Sequence, residues 1–111
     1  MYKLITMSIY TKEYIQDKIK TDTRWTIRTL EVIYNRQTTD EQLSEHTSEK
    51  NGKGFTGIDG ELLSSFHKQV VKNRQLNRQT LLSEKQMELC RKKLPKYWKQ
   101  VKEEIEKNEG V

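Results

Sequence analysis

Residues 22–35, DTRWTIRTLEVIYN, place apolar side chains on two faces of one helix. Asp22 is a suitable N-cap, because its carboxylate can accept a hydrogen bond from a free N–H of the first helical turn. The apolar residues are Trp25, Val32 and Ile33 on one face and Ile27, Leu30 and Tyr34 on the other. A helix that is apolar on two sides is usually buried between others. The stretch therefore predicts a central helix over roughly residues 23–35, with the remaining helices packed around it.

The residues on either side of this helix predict two shorter helices. Thr11 can cap a helix over residues 12–21, whose apolar residues share one face. Downstream, residues 39–42, TDEQ, match the capping-box pattern and predict a short helix from 40 to about 46. Residues 47–60 are polar and rich in glycine, which is typical of a loop.

A further helix is predicted over about residues 61–73, starting at Asp59 or Gly60. Its buried stripe comprises Leu62, Leu63, Phe66 and Val70. A connection over residues 74–82 follows. Residues 83–86, SEKQ, then match a second capping box, which predicts the start of the last helical segment.

The last helical segment keeps one apolar stripe across a proline. Its members are Met87, Cys90, Leu94, Trp98, Val101 and Ile105. Because proline removes a backbone N–H and clashes with the preceding turn, Pro95 is expected to interrupt the helix. The pattern predicts two helices that lie nearly in line and are broken at Leu94 and Pro95.

Together these patterns predict an all-α fold in a single domain over residues 1–111. The expected architecture is a compact bundle of four to six helices with a glycine-rich loop at residues 50–60. Residues 1–10 are expected to form a flexible or extended N-terminal segment, and residues 108–111 a frayed tail.

Composition narrows the class of protein. One cysteine excludes an internal disulfide, and one cysteine with two histidines cannot form a structural zinc site. No apolar run approaches the roughly 20 residues that span a bilayer, so no membrane contact is expected. We expect a cytoplasmic protein that binds neither a metal nor another cofactor.

Positive charge is concentrated in one part of the chain. Residues 1–61 carry nine Lys and Arg against ten Asp and Glu, whereas residues 62–102 carry eleven against two. Because clustered cations bind a phosphate backbone, the second part is a candidate nucleic-acid surface. The candidate contacts are Lys68, Lys72, Arg74, Arg78, Lys85, Arg91, Lys92, Lys93, Lys96, Lys99 and Lys102.

The same residues also fit a simpler interpretation, a solvated helix face. Lysine outnumbers arginine in the cluster, which suits phosphate contact better than recognition of base edges. The chain carries neither an RNP pattern nor a zinc finger, and the connection at 74–82 is longer than the turn of a helix-turn-helix motif. The sequence leaves the choice between DNA and RNA open.

Residues 51–60, NGKGFTGIDG, hold four of the five glycines and include the Gly-x-Gly-x-x-Gly spacing of a phosphate-binding loop. Such a loop needs a preceding strand, and the residues before these glycines are polar. A nucleotide-binding enzyme that uses GKGFTG is therefore the least favoured interpretation. The favoured one is a compact turn in which Phe55 and Ile58 insert into the core. The alternative is a loop that presents Lys53 and Phe55 to a partner.

No group of residues indicates catalysis. His46 lies in a polar loop with Glu45 and Glu49, and His67 lies on an amphipathic helix, so we interpret both as surface histidines. No serine or cysteine has a paired base at a telling spacing. Cys90 falls on the apolar stripe, where a cysteine acts as a small core residue. We therefore expect a protein that binds and does not catalyse.

Four ordered motifs carry a resemblance to known proteins. They are IYxxQTxDEQ at 33–42, NGxGFxGxD at 51–59, LSxKQ at 82–86 and KYxxQ at 96–100. The set resembles a short region of small phage and prophage proteins, also found beside phage-borne helicase-like proteins, and it covers most of residues 30–100. The resemblance implies a mobile-element origin and a setting near DNA metabolism or host takeover. It implies no role for an individual residue.

The resemblance adds a second hypothesis about function. Small phage proteins without catalytic residues often occupy host machinery, and inhibitors of CRISPR nucleases are one such class. The chain would then be a protein–protein inhibitor of a host defence system that handles nucleic acid. On either hypothesis the expected partner is nucleic acid or a host nucleic-acid–protein complex, bound by a monomer or a homodimer.

Overall fold

The structure, a computed structural model, describes residues 10–37 and 54–108. Within these ranges the chain forms five α-helices and one 3-10 turn, and no β-strand. The elements are α1 (Lys12–Thr21), α2 (Thr23–Asn35), α3 (Gly57–Gln75), α4 (Glu84–Lys93), the 3-10 turn Leu94–Tyr97 and α5 (Trp98–Asn108). The prediction of an all-α bundle is confirmed. None of the described helices is long and apolar enough to cross a membrane.

Helices α1 and α2 have the predicted boundaries because both N-caps form as expected. Thr11 Oγ1 accepts a hydrogen bond from the N–H of Tyr14 at 3.1 Å, and the Asp22 carboxylate accepts one from the N–H of Arg24 at 2.9 Å. Each cap satisfies an N–H that has no partner within its helix. Asp22 also donates its own N–H to the carbonyl of Lys18 at 2.9 Å, so one residue forms the corner between the two helices.

Helix α2 is the centre of the bundle, as predicted. It contacts α1, α3, α4, the 3-10 turn and α5. Ile27, Leu30 and Ile33 are buried along it. Thr26 is fully buried as well, and its hydroxyl donates to the carbonyl of Ile19 in α1 at 2.6 Å. This bond satisfies a polar group that would otherwise destabilise the interior.

Helix α3 begins at Gly57, four residues earlier than predicted, and ends at Gln75, two residues later. Thr56 precedes it with extended backbone angles, φ −69° and ψ 157°. The predicted loop therefore contributes residues 57–60 to the first helical turn. Glycine lowers helix propensity, so the glycine-rich composition hid this turn from the sequence pattern.

The connection between α3 and α4 is fixed by polar side chains. Asn77, two residues after the end of α3, adopts a left-handed conformation with φ 55°, which asparagine tolerates better than most residues. Asn73 Nδ2 donates to the carbonyl of Leu81 at 2.7 Å. Gln69 and Gln86 exchange two side-chain hydrogen bonds at 2.8 and 2.9 Å, which join α3 to the start of α4.

The last helical segment is interrupted where the sequence predicts. The capping box forms, since Ser83 Oγ accepts from the N–H of Gln86 at 3.2 Å and Gln86 Oε1 accepts from the N–H of Ser83 at 2.9 Å. Pro95 lies in the 3-10 turn Leu94–Tyr97. Helices α4 and α5 are therefore separate, as expected from the missing N–H of proline.

One predicted core position is wrong, and another is only partly buried. Leu62 of α3 is 36 % exposed, although the other three members of its stripe are buried. In the last segment, Trp98 of the predicted stripe is half-buried and packs against the core, while its neighbour Tyr97 is buried more completely. A 3-10 turn has three residues per turn, so it rotates the chain further per residue than an α-helix and shifts the stripe by one position.

Several predictions concern residues outside the described ranges. They are the N-terminal segment up to residue 9, the short helix from 40 to about 46, the beginning of the glycine-rich loop at 50–53 and the tail at 109–111.

Candidate nucleic-acid interface

One glutamine holds the glycine-rich loop against α5. Gln100 Oε1 accepts from the N–H of Gly54, and Gln100 Nε2 donates to the Gly54 carbonyl, both at 2.9 Å. Gly54 has φ 85°, a conformation that favours glycine. A Cβ at this position would lie 2.5 Å from Cγ of Gln37. The backbone conformation and the available space therefore both require glycine.

Phe55 anchors the loop in the core, as predicted, whereas Ile58 does not. Phe55 is 1 % exposed, and its ring meets that of Tyr97 edge-on with the centroids 5.7 Å apart. Ile58 is 88 % exposed, because the first turn of α3 directs it away from the core. The alternative in which the loop presents Phe55 to a partner is wrong, since this side chain is buried. Lys53, the other residue of that alternative, lies outside the described residues.

The protein's own side chains bind successive N–H groups of the loop. Besides the glutamine contact at Gly54, the N–H of Phe55 donates to Gln37 Oε1 at 3.4 Å. The N–H of Thr56 donates to the Tyr97 hydroxyl at 3.0 Å. A phosphate-binding loop directs such groups at its ligand instead. These contacts therefore argue against nucleotide binding by this part of the loop.

A buried carboxylate joins the loop to the basic segment. Asp59, the third residue of α3, is 1 % exposed. The Tyr97 hydroxyl donates to its Oδ2 at 2.9 Å. Lys96 Nζ also contacts Oδ2, and Lys93 Nζ lies 3.4 Å from Oδ1. One tyrosine and two lysines thus share a single carboxylate.

The surroundings of Asp59 favour its charged form. Burial raises the pKa of Asp59, but hydrogen bonds from Lys96 and Tyr97 and the charges of Lys96 and Lys93 outweigh burial and lower the pKa below its usual value. Burial raises the pKa of Tyr97 to about 12, against the opposing effect of its bonds with Thr56. At neutral pH the carboxyl is ionised and the phenol protonated, so the cluster is an ion pair that holds the fold.

Three exposed lysines form a row along the last helical segment. We call Lys92, Lys96 and Lys99 the lysine crest; all three are exposed. Steps of four and three residues place them on one side of the segment. The opposite side is core and comprises Met87, Cys90, Leu94, Tyr97 and Val101. Lys85, also exposed, continues the row toward the start of α4.

The other residues that the sequence predicts to contact nucleic acid lie outside this row. Lys68 and Lys72 are exposed on α3, and Arg78 is exposed in the connection that follows it. Arg91 precedes the crest lysines in the sequence and Lys102 follows them, and both are half-buried. The fold therefore separates these cations into a crest and outlying residues.

Some of the predicted contacts already pair with carboxylates of the protein. Arg74 Nη2 lies 2.8 Å from a carboxylate oxygen of Glu31 in α2, and Lys93 and Lys96 share Asp59. The sequence pattern did not indicate these pairs, because each joins residues that are distant along the chain. Their positive charge is partly balanced before any partner binds.

The fold also places Lys12, which the charge pattern did not single out, beside the part of the chain that carries the lysine crest. Lys12 of α1 places Nζ 5.8 Å from the ring centroid of Trp98. Gln16 of the same helix donates to the carbonyl of Pro95 at 3.1 Å. Helix α1 thus runs beside the 3-10 turn, and no local signal in the sequence connects these positions.

A cleft of about 740 Å³ opens between α2, α5 and the connection after α3. Its apolar lining comprises Trp25, Ile27, Val32, Leu81, Val101 and Ile105. Its charged rim comprises Asp22, Arg24, Arg28, Glu31, Arg74 and Glu104, with both signs equally represented. The rim therefore gives no strong preference for an anion or a cation.

The described part of the chain contains no candidate metal site, and two of the residues weighed as catalytic candidates are buried. No group of three or more His, Cys, Asp or Glu could hold a metal ion there. The surface position predicted for His67 is wrong, because the α3 face that carries it is buried. Its ring stacks on that of Tyr34 with the centroids 4.1 Å apart, and burial lowers its pKa. Cys90 is fully buried, and burial raises the pKa of its thiol to about 12. His46 lies outside the described residues.

Residues of separate sequence motifs meet around the glycine-rich loop. The group comprises Gln37, Gly54, Phe55, Asp59, Lys96, Tyr97 and Gln100. Their contacts are internal, so this group positions the loop and the start of α3. Comparison with known proteins adds no relative, since no family model, curated protein or solved structure matches the chain.

Proposed function

We propose that this protein binds nucleic acid without catalysing a reaction, and that the lysine crest contacts the phosphate backbone. The observation that carries the proposal is the exposure of Lys92, Lys96 and Lys99 along one side of a segment whose other side is core. Such a row can neutralise several phosphates at once without disturbing the packing beneath it.

The crest keeps positive charge despite its internal ion pair. Asp59 carries one negative charge and contacts both Lys93 and Lys96, so one of those two positive charges stays unbalanced. Among the described residues, no carboxylate forms an ion pair with Lys92 or Lys99. The surface is therefore attractive to a polyanion at low and moderate salt.

The chemistry of the crest favours phosphate contact over sequence recognition. A lysine ammonium is a compact point charge, whereas base edges are recognised best by the planar fork of arginine. The crest contains only lysine. We therefore expect affinity that depends strongly on salt and weakly on base sequence.

The proposal is tested by a charge reversal that leaves the fold intact. The double variant Lys92→Glu and Lys99→Glu is preferred over changes at Lys96, since Lys96 supports Asp59. The matched control is Arg24→Glu with Arg28→Glu, two exposed residues of α2 that give the same change in net charge. Binding to labelled single-stranded and duplex oligonucleotides is measured by fluorescence anisotropy from 50 to 200 mM salt.

We expect the crest variant to bind much more weakly than the control. Losing two phosphate contacts should reduce the slope of log K against log salt by roughly 1.4 for single strands and 1.8 for duplex. Equal losses in the crest variant and the control would reject the crest as the binding surface. Absence of wild-type binding at the lowest salt would reject the proposed function itself.

A protein partner is the second candidate, and exposed apolar residues favour it. Helices α3 and α4 run antiparallel, because Asp59 contacts Lys93 and Gln69 contacts Gln86. These two helices carry three exposed apolar residues near the cluster of Asp59 and Lys93 in sequence: Ile58, Leu62 and Leu89. Such residues are typical of a surface that binds another protein when they form a patch.

The second candidate corresponds to an inhibitor that occupies a host nucleic-acid–protein complex. It predicts a partner that stays bound after nuclease digestion and is lost in the variant Ile58→Asp. The control is Val71→Asp, since Val71 is also exposed on α3 but lies more than three helical turns from Ile58. If every captured partner disappears after digestion, only the nucleic-acid proposal stands.

A further inference from the structure

His67 is a titratable side chain buried between α2 and α3. It is 8 % exposed, and its ring lies nearly parallel to that of Tyr34 in α2, with an interplanar angle of 18° and the centroids 4.1 Å apart. Its Nδ1 atom is buried and has no hydrogen-bond partner in the described part of the chain. Buried polar atoms are nearly always hydrogen-bonded, so this nitrogen is an exception with a cost in stability.

Two polar contacts lie on either side of the stacked rings. Gln37, two residues after the end of α2, has Nε2 3.5 Å from the hydroxyl of Ser64, which lies one turn before His67 in α3. Glu31 of α2 pairs with Arg74, two turns after His67, at 2.8 Å. Positions 37, 34 and 31 thus meet positions 64, 67 and 74 in antiparallel order. The ring stack is the middle contact of this seam.

Protonation of His67 would change what the seam must accommodate. An imidazolium carries an N–H on both ring nitrogens, so Nδ1 would become a buried donor without an acceptor. Burying an unpaired donor costs free energy, and burying a positive charge costs more. The folded chain therefore binds this proton less readily than the unfolded chain, in which both nitrogens face water.

The groups around His67 do not offset this cost. Glu31 favours the imidazolium, but its carboxylate already pairs with Arg74. Arg74 and Lys68, both on α3, oppose a further positive charge. The facing ring of Tyr34 attracts a cation only weakly compared with the cost of burying one. Burial has the largest influence, and it lowers the pKa of His67 below the ordinary value of 6.5.

We propose that His67 makes the seam between α2 and α3 sensitive to acid, so that the two helices pack tightly while the imidazole is neutral and loosen when it takes up a proton. Such a switch does not depend on nucleic-acid binding. Because the folded pKa is lowered, the neutral imidazole contributes fully to stability above a pH of about 6.5. The contribution falls as the pH drops below that value and is lost at the folded pKa.

The test compares the pH dependence of stability in histidine variants. The chain has two histidines, His46 and His67. His67→Phe keeps an aromatic ring opposite Tyr34 and removes the titratable group, and His46→Gln is the matched control. Urea denaturation is followed by circular dichroism from about pH 7.5 to about pH 5.5, above the range in which most carboxylates titrate.

We expect the unfolding equilibrium constant of the wild type to rise by about three- to tenfold over this range, because the unfolded chain takes up a proton that the folded chain resists. His46→Gln should show the same rise. In His67→Phe the constant should change by less than about twofold. An equal rise in His67→Phe and the wild type would overturn the proposal.

Nuclear magnetic resonance follows the proton in the wild-type protein, so the proposal stays testable even if His67→Phe does not fold. The Cε1–H signals of the two histidines are assigned by comparison with His46→Gln. We expect His67 to titrate with a pKa below 6.5 and the ring signals of Tyr34 to shift along the same curve. A pKa of His67 at or above 6.5, or Tyr34 signals that stay constant through the titration, would overturn the acid-sensitive seam.

Discussion

The inner and outer sides of residues 96–100 use polar side chains in different ways. On the inner side, Tyr97 and Gln100 direct their polar atoms at the glycine-rich loop and the start of α3. On the outer side, Lys96 and Lys99 expose their ammonium groups. Four of these five residues thus divide between holding the fold and exposing charge at the surface.

This difference gives a rule for interpreting substitutions. Inner polar groups are buried and have hydrogen-bond partners, so removing one leaves the other unsatisfied and destabilises the fold. Outer groups are solvated, so their loss should change binding and leave stability nearly constant. The first three predictions change residues that the inner side contacts, and the fourth compares the two lysines of the outer side.

The largest effect is expected at the aromatic anchor of the loop. Phe55→Ala should lower the free energy of unfolding by about 3–5 kcal/mol, because it removes a fully buried ring and leaves a cavity. Ile58→Ala, at an 88 % exposed position, should change it by less than about 0.5 kcal/mol. Urea denaturation followed by circular dichroism measures both. Similar losses for the two variants would contradict the placement of these side chains.

A smaller effect is expected at the buried carboxylate. Asp59→Asn should destabilise the protein by about 1.5–3 kcal/mol at pH 7, since it removes the charge that binds Lys96, Lys93 and the Tyr97 hydroxyl. The pKa of Asp59 is lowered in the folded protein, so its contribution to stability is complete above the ordinary aspartate pKa of 3.8 and is lost as pH falls through the folded pKa.

The pH dependence distinguishes this mechanism from a simple packing defect. The difference in stability between wild type and Asp59→Asn should be constant from pH 7 down to about 4 and should shrink below that. Denaturation curves at several pH values measure the difference. If this difference in stability stayed constant through the acid range, the charge of Asp59 would not be the property that stabilises the fold.

The third effect is expected at Gly54. Gly54→Ala should destabilise the fold by about 1–3 kcal/mol, because alanine is strained at φ 85° and its Cβ would lie 2.5 Å from Cγ of Gln37. Gly57→Ala, at the exposed first position of α3, should be neutral or slightly stabilising. Thermal melting of the pair measures the contrast, and equal melting temperatures would contradict the special role of Gly54.

The parts of the fold that the sequence predicted well depend on local signals. Thr11, Asp22 and Ser83 are N-caps, and each acts on residues within one helical turn. The start of α3 was missed because its first turn contains Gly57 and Gly60, which weaken any helical pattern. That turn is fixed by contacts with side chains of the last helical segment, which the local sequence cannot show.

In the candidate site, too, local features could be predicted from the sequence and contacts between distant residues could not. The crest was predictable, because charge and a step of three or four residues are both visible in the sequence. The sharing of Asp59 by Lys93 and Lys96 joins positions 34 or more residues apart, and the contact of Lys12 with Trp98 joins the two ends of the described chain. Only the packing of the helices brings such residues together.

The smallest effect on stability is expected at the crest itself, where Lys96 and Lys99 can be compared directly. Both are exposed lysines that we propose contact phosphate, but only Lys96 touches Asp59. Lys96→Ala should therefore lower the free energy of unfolding by up to about 1 kcal/mol, a small value because its side chain is 48 % exposed and solvent screens the pair. Lys99→Ala should leave stability unchanged.

The two variants should differ in stability but lose similar amounts of affinity for nucleic acid. Each variant loses one cation of the row, so each should reduce the salt slope for nucleic acid by roughly 0.7–0.9. Urea denaturation and anisotropy titrations on the same two proteins give both quantities. If Lys96→Ala lost stability but no affinity, Lys96 would stabilise the fold without contacting nucleic acid. Lys92 and Lys99 would then be the crest lysines that bind. If both variants lost affinity equally and only Lys96→Ala lost stability, one lysine would serve the fold and the partner together.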